Sequence, residues 1–357
     1  MPEVDFKFYT QTGEAWEAML ADLREAKETI DIEQYIFNYD AIGQQFIDIL
    51  IEKAQTGLKI RLLCDMVGSH SFYHSAIPAV LRHQGVEVRF FNPISPWRIA
   101  NFTSNFFRDH RKVLVVDSKI VHLGGVGIAE YMKAWRDTHM RLIGPIAPDI
   151  KVSFESVWEN AGRSFPFGIK QPHHFVKRFN LLTNAPGLRQ RAIYQALIAE
   201  IRGAQKYIYL TTPYFIPDAR LFRVLRLAAR RGVDVRIIVP TVADHFLIDH
   251  ARESFYATAL RSGIKIYLYK HIMMHAKTAV IDDMWAMAGS FNLDNLSSLF
   301  NHEANISSDD AGFISELKSH FIEDLTNCNE VHYGEWIIRP FYKKILELVT
   351  WPFHGIM

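Results

Sequence analysis

Apolar positions along the chain alternate between two rhythms, one close to helical period and one of short continuous runs. EAWEAMLADLREAKE (14–28) reads as a helix and ETIDIEQYIF (28–37) as a strand. AIGQQFIDILIEKAQTG (41–57) reads as a helix, LKIRLLCDM (58–66) as a strand, SFYHSAIPAVLRHQG (71–85) as a helix and VEVRFFNP (86–93) as a strand. KVLVVD and KIVHLGG then follow as two more strands. The second half restates this order. RQRAIYQALIAEIRGAQ, DARLFRVLRLAARRG and HFLIDHARESFYATALRSG are helical, and KYIYLTTPYF, VDVRIIVP and IKIYLY are strands, before KTAVID and MWAMAGS. Glycine ends a helix just before a strand in QTG-LKI, HQG-VEV, RRG-VDV and RSG-IKI.

That repetition predicts an α/β chain of two similar domains, each a sheet flanked by helices. The hairpin-like KVLVVD/KIVHLGG pair makes each sheet mixed. GRSFPFGIKQPHHFVKRF, rich in Gly, Pro and basic residues and without a clear period, reads as an extended linker. The expected division is a first domain over 1–165, a linker over 166–187 and a second domain over 188–357. The last stretch, EWIIRPFYKKILELVTWPFHGIM, interleaves apolar and basic residues. It reads either as a docked terminal helix or as an interfacial anchor, with Lys343 and Lys344 at lipid headgroups and Trp351 and Phe353 below them.

Composition narrows the chemistry only slightly. Forty basic residues stand against 39 acidic ones, a formal net charge of +1, so no broad basic track for a nucleic-acid duplex is expected. Cys64 and Cys328 form no metal-ligand spacing and suit a reducing compartment. The N-terminus has early acids and no apolar run, unlike a signal peptide, and no stretch has the length of a spanning helix. The 25 Phe, 14 Tyr and 7 Trp exceed what most soluble enzymes carry. They suit either a large core or an apolar substrate channel or membrane-facing rim.

One arrangement occurs twice. HRKVLVVDSKIVHLGGVG (110–127) and HAKTAVIDDMWAMAGSFN (275–292) both place Lys two residues after His and Asp five after Lys. On a strand, residues two apart share a face, so His110 pairs with Lys112 and His275 with Lys277. Two domains facing each other about a pseudo-twofold axis would bring both pairs into one cleft. Lysines there neutralise phosphoryl oxygens. One neutral imidazole attacks phosphorus, and the other gives a proton to the leaving alkoxide and later takes one from the incoming alcohol or water. No metal or other cofactor is required, and no acidic metal cluster stands near the motifs. Each imidazole needs a carboxylate at its second nitrogen. Asp137 in AWRDTHM and Glu303 in LFNHEANI are the expected orienting acids, with the pairing left open. Ser290 and Asn292 are expected to give hydrogen bonds to phosphate. Asp117 and Asp282, at strand ends before turns, read as structural ties rather than reacting groups.

These residues resemble the paired HxKxxxxD motifs of the phospholipase D superfamily, and the resemblance runs across nearly the whole chain. FRDHRKVLVVD, GGVGIAEYM, WRDTHMRLIGP, TTPYFIPDARL and GSFNLDNLSSLFNHEANI are similar to bacterial cardiolipin synthases of a short form without N-terminal membrane spans. The resemblance places His110, Lys112, Asp117, His275, Lys277 and Asp282 in the catalytic motifs. It implies transfer of a phosphatidyl group from phosphatidylglycerol to a second phospholipid, with His110 as nucleophile and His275 as general acid and base; the pseudo-symmetry leaves the exchanged roles as the alternative. It also implies a peripheral enzyme at the cytoplasmic face of a bacterial membrane. The alternatives are a hydrolase of phospholipid or nucleic acid, and a catalytically inert lipid-binding protein. One departure is Gly127, where the family's first motif usually has Asn.

The flanks supply further candidates. ISPWRIANFTSNFFRDH offers Trp97, Phe102, Phe106 and Phe107 with Arg98 and Arg108 as a mouth for acyl chains and headgroups. Tyr35 and Tyr214 either line the cleft or pack with satisfied hydroxyls. Arg252, Arg339 and His302 are candidates for headgroup contacts. No pattern specifies an oligomeric state or an accessory partner.

Overall fold

Each half of the chain builds one mixed sheet from the same order of strands. The structure, a computed structural model, describes residues 3–94, 105–161, 174–176, 178–187, 191–242 and 246–340. The first half holds β1 (Asp5–Gln11), β2 (Thr29–Gln34), β3 (Lys59–Asp65), β4 (Glu87–Phe91), β5 (Arg108–Asp109), β6 (Lys112–Val116), β7 (Ile120–Gly124) and β8 (Arg136–Ile143). The second holds β9 (His174–Val176), β10 (Phe179–Asn184), β11 (Tyr207–Thr211), β12 (Asp234–Pro240), β13 (Lys265–Tyr269), β14 (Thr278–Ile281), β15 (Trp285–Gly289), β16 (Asn301–Ser308) and β17 (Cys328–Glu330).

The first sheet runs β1-β8-β7-β6-β2-β3-β4, and the second contains β10-β16-β15-β14-β11-β12-β13 in the same succession. The sense of pairing matches throughout. Apart from β5, which pairs in parallel with β16 of the other half, the parallel pairs are those of β2–β3–β4 and β11–β12–β13, and these are joined through helices, as parallel crossovers must be. The remaining pairs are antiparallel hairpins or neighbours, so both sheets are mixed as expected.

A shared core lies between the halves. Val113, Val115 and Met140 of the first sheet pack in one cluster with Val280, Ala288 and Ile306 of the second, and Phe313 and Leu317 of the helix Ala311–Thr326 join them. Burying a side chain of this size stabilises by about 1.5–3 kcal/mol, so the cluster fixes the two sheets against each other. Arg136 adds a directional tie. Its guanidinium donates to both carboxylate oxygens of Asp324, at 2.8 and 2.7 Å, from the first half to the second.

The elements depart from the expected division in three respects: the linker, the unanticipated elements and one split helix. The stretch read as linker contributes β9 and β10 to the second sheet. Phe179 and Leu181 are buried while Asn180 and Leu182 are only partly so, a two-residue period hidden by its Gly-, Pro- and Arg-rich flanks. β1 and the helix Ala147–Asn160 were not among the expected elements. The stretch 71–85 forms two short helices, His70–Tyr73 and Ile77–His83, because Pro78 sits in the first turn of the second. The linker residues 166–173 and 177, and the basic and aromatic terminus with Lys343, Lys344, Trp351 and Phe353, lie outside the described residues.

Candidate active site

His110, Lys112 and His275 line one cavity of about 550 Å³, and Lys277 is held against the His275 carbonyl. His110 precedes β6 and His275 precedes β14, at matched places in the two sheets. Each histidine is fixed by the opposite half. The backbone N–H of His110 donates to the carbonyl of His302 at 3.0 Å, and that of His275 donates to the carbonyl of Arg136 at 2.7 Å. The residue after each of those carbonyls is the acid that holds the ring. His110 Nδ1 lies 3.0 and 3.1 Å from the Glu303 oxygens, and His275 Nδ1 lies 2.6 Å from Asp137 Oδ2. The expected acids are therefore both present, and the pairing is crossed. With Nδ1–H donating to a carboxylate, Nε2 of each ring keeps its lone pair for chemistry.

The lysines sit behind their histidines. Lys112 Nζ donates to the His110 carbonyl at 2.7 Å, and Lys277 Nζ to the His275 carbonyl. Both are buried, at 2% exposure. Burial drives the Lys112 pKa down to about 7, with the Lys277 charge adding to the effect and Glu303 opposing it. His110 is held well below the ordinary imidazole pKa by burial and by the charges of Lys112, Lys277 and His275. His275 is lowered by burial and Lys277, against the pull of Asp137.

The two acids differ. Burial lifts Glu303 to about 7, against Lys112 and its hydrogen bonds. Burial also works against ionisation of Asp137, but His275 and Lys277 outweigh it and its pKa lies below the usual range. The anionic partner thus stands at His275, and the imidazole better kept neutral is His110.

Their supports differ in the same sense. Ser290 does not reach the cavity. Its buried hydroxyl donates to Glu303 and accepts the Ala304 N–H at 3.0 Å, so it holds the acid rather than phosphate as expected. At the matching place Gly125 leaves room for Asp137, since a Cβ there would fall 2.0 Å from Asp137 Oδ1.

Of the other expected residues, Asn292, Tyr35 and Tyr214 line the cavity. The Tyr35 ring meets His110 edge-on at 4.8 Å between centroids and lies 5.2 Å from Lys112 Nζ. Arg252 is buried and donates to the carbonyls of Pro240 and Thr241, tying a loop. Arg339 donates to the Trp336 carbonyl and stacks on its ring. Neither is among the residues that line the cavity. Arg108 is likewise internal, paired with Asp65 at 3.3 Å, and His302 is fully buried against Phe91. Phe107 is buried while Phe106 is exposed; Trp97, Arg98 and Phe102 lie outside the described residues.

Asp117 and Asp282 act away from the reacting groups. Asp117 accepts the backbone N–H groups of Lys27, Glu28 and Thr29, at 2.7–2.9 Å. Asp282 accepts those of Gln205, Lys206 and Tyr207, at 2.6–2.8 Å. Each has positive φ, 51° and 56°, as Asp in such turns tolerates. They fasten the helix-to-strand turn beside the motif strand.

The sequence reading missed Val67, Tyr131, Met132 and Trp135 on the first-half wall and Asp294, Leu296 and Asn301 on the second. Strand alternation offered one signal, since Asn301 lies two residues before Glu303. The Trp135 ring packs 5.1 Å from that of His275.

Residues 19–136 and 197–325 match the family model described as "Cardiolipin synthase, PLD-like domain". The chain is 34% identical to cardiolipin synthase A of Pseudomonas syringae, over 90% of this chain and 68% of that one. It is 33% identical to the major cardiolipin synthase ClsA of Bacillus subtilis, over 96% and 73%. Its fold is similar to that of phosphatidylserine synthase from Haemophilus influenzae, with a TM-score of 0.77 at 16% identity over 98% of this chain and 93% of the other. It also resembles polyphosphate kinase from Porphyromonas gingivalis, with a TM-score of 0.64 at 15% identity over 93% and 49%.

Proposed function

The chain belongs to the cardiolipin synthase family built on phospholipase D-like domains, and on that premise we propose how its cavity transfers a phosphatidyl group. Membership makes it a cardiolipin synthase-like phosphatidyltransferase. The donor in this reading is phosphatidylglycerol and the acceptor is a hydroxyl of a second phospholipid, commonly another phosphatidylglycerol. Glycerol is released and cardiolipin formed.

His110 Nε2 attacks phosphorus as a neutral imidazole. The phosphorus–oxygen bond to glycerol breaks while His275, as imidazolium beside anionic Asp137, gives its proton to the departing oxygen. The phosphatidyl group then rests on His110. The acceptor hydroxyl attacks phosphorus, His275 takes its proton, and the phosphorus–nitrogen bond breaks to return His110. Lys112 and Lys277 offset the charge on the non-bridging oxygens. Asn292 offers an amide to one of them. The observation that carries this reading is the crossed hydrogen bonding of His110 to Glu303 and His275 to Asp137 at one cavity.

A lipid substrate is favoured by the first-half wall, where Ile36, Met132 and Trp135 are joined by Val67 and Tyr131, 38% and 59% exposed. An apolar rim of this kind suits acyl chains and contact with a bilayer surface. Among the described residues no helix is long and apolar enough to cross a membrane. The apolar rim supports our reading of a peripheral enzyme at the cytoplasmic face of a bacterial membrane.

The test is to supply purified protein with phosphatidylglycerol vesicles and analyse products by mass spectrometry. Cardiolipin and glycerol in equal amounts are expected from wild type and neither from His110→Ala. Phosphatidic acid as the main product would make it a hydrolase, and cleavage of single-stranded DNA with lipid untouched would overturn the lipid reading.

A further inference from the structure

The two walls of the cavity come from matched positions and have opposite chemistry. The bridges Phe37–Ile128 and Phe215–Leu293 align the loops after β7 and β15, and the registers Gly124–His139 and Gly289–Asn305 align β8 with β16. Gly127 then matches Asn292, Ala129 matches Asp294, and Trp135 matches Asn301. At all three places the first half is bare or apolar and the second is polar.

The polar wall offers side-chain oxygens to the cavity. Asn292 and Asn301 are 4% and 8% exposed. Neither side-chain oxygen has a hydrogen-bond partner among the described protein residues, and both residues line the cavity. Asn301 Nδ2 reaches Glu303 at 3.4 Å, which leaves its oxygen as the free end. Asp294, 6% exposed, accepts the Ser297 N–H through Oδ1 at 2.7 Å, and burial pushes its carboxyl up to about 7. The bland role for Asp294 is to cap the turn Leu296–Phe300. Ala129 stands at the same place before the turn Glu130–Met132, which forms with no side-chain cap, so the turn does not explain a buried carboxyl at the cavity.

We infer that Asp294 and Asn301, next to Asn292, form a hydroxyl-binding subsite that takes the polyol end of the reacting alcohol. The Asn292 and Asn301 oxygens, without partners in the protein, and the Asp294 carboxyl beside them are complementary to O–H donors, and a glycerol unit offers adjacent hydroxyls to them. The bare wall of Gly127, Met132 and Trp135 faces the acylated side. The cavity is thus directional: the polyol lies against the second half. This inference rests on the transfer reaction proposed above.

The experiment compares 1,2-propanediol with 1-propanol as acceptors from phosphatidylglycerol, and phosphatidylglycerol with phosphatidylpropanol as donors. Wild type, Asp294→Asn and Asn301→Ala are used, because Asn at 294 keeps a side-chain oxygen for Ser297. Wild type is expected to favour the diol by about ten-fold in kcat/KM, the worth of one hydrogen bond to a buried polar group. Either variant should bring that ratio towards one by raising KM for the diol more than for 1-propanol. A change confined to the acceptor comparison assigns the subsite to the incoming headgroup, and one confined to the donors assigns it to departing glycerol. An unchanged ratio in both variants and both comparisons, with transfer intact, overturns the subsite alone. No transfer by wild type would remove the underlying reaction and the subsite with it.

Discussion

His110 and Glu303, 193 residues apart in sequence, are hydrogen-bonded at 3.0 Å, and His275 and Asp137 repeat the relationship at 2.6 Å in the opposite direction. Each half carries a histidine and the acid that orients the other half's histidine. Neither half holds a complete site. The shared core and the Arg136–Asp324 pair therefore bear on chemistry as well as on stability.

Removing an orienting carboxylate should lower turnover with the fold retained. Glu303→Gln and Asp137→Asn keep size and a hydrogen bond but change the favoured tautomer. Each is expected to reduce kcat by about two to four orders of magnitude, as in other histidine–carboxylate pairs. Steady-state transfer rates together with thermal unfolding of both variants check this. Near-normal kcat in either would separate that acid from catalysis.

The acids were legible because each opens a strand-like stretch at a similar distance after its motif. Their crossed partnership was not, since it depends on how two sheets pack and no local pattern records that. The hydroxyl of Ser290 in GSFN suits a phosphate oxygen, yet the loop turns it onto Glu303. Arg252 and Arg339 gave no periodic or motif signal, and long side chains of this type often tie loops. β10 was hidden because its alternation is only six residues long.

The Lys112 pKa of about 7 sets a pH dependence. In the empty cavity Lys112 loses its proton as pH rises through 7, and with it the charge that offsets the phosphate. His275 must also keep its proton to act as the acid, and its pKa is lowered by burial and Lys277, so the alkaline limb of kcat/KM should begin at or below pH 7. A bound anionic phosphodiester raises the lysine pKa, so the corresponding limb of kcat should appear at higher pH. The low His110 pKa keeps the nucleophile neutral, placing the acid limb below 6.5. Rate profiles from pH 5 to 9 read all three. A flat kcat/KM between 6 and 9 would contradict the lysine's role.

Gly127 bounds the cavity where a larger residue has little room. A Cβ there would sit 3.2 Å from Met132 Sδ and 3.3 Å from Ile36 Cβ. Gly127→Asn is expected to lower transfer to a lipid acceptor by about ten-fold or more, in line with a cost of about 1–3 kcal/mol for overpacking, while methanol is used more nearly as before. The ratio of lipid to methanol products decides it, and an unchanged ratio would show that the missing side chain has no bearing on acceptor size.

Asp117→Ala and Asp282→Ala should destabilise without stopping chemistry in the folded fraction. Each leaves three backbone N–H groups without their carboxylate, at a cost of about 1–3 kcal/mol. A lower urea midpoint with kcat per folded molecule near wild type is expected. An undiminished midpoint with kcat abolished would make them reacting groups instead.

The central claim is that one histidine carries the phosphatidyl group and that it is His110. The direct measurement is acid-quenched turnover of phosphatidylglycerol by the wild-type enzyme, followed by digestion and mass spectrometry of the two histidine peptides. A phosphatidyl or phosphoryl adduct on the His110 peptide alone is predicted. An adduct on the His275 peptide of the wild-type enzyme, or none on either during measurable turnover, would contradict it.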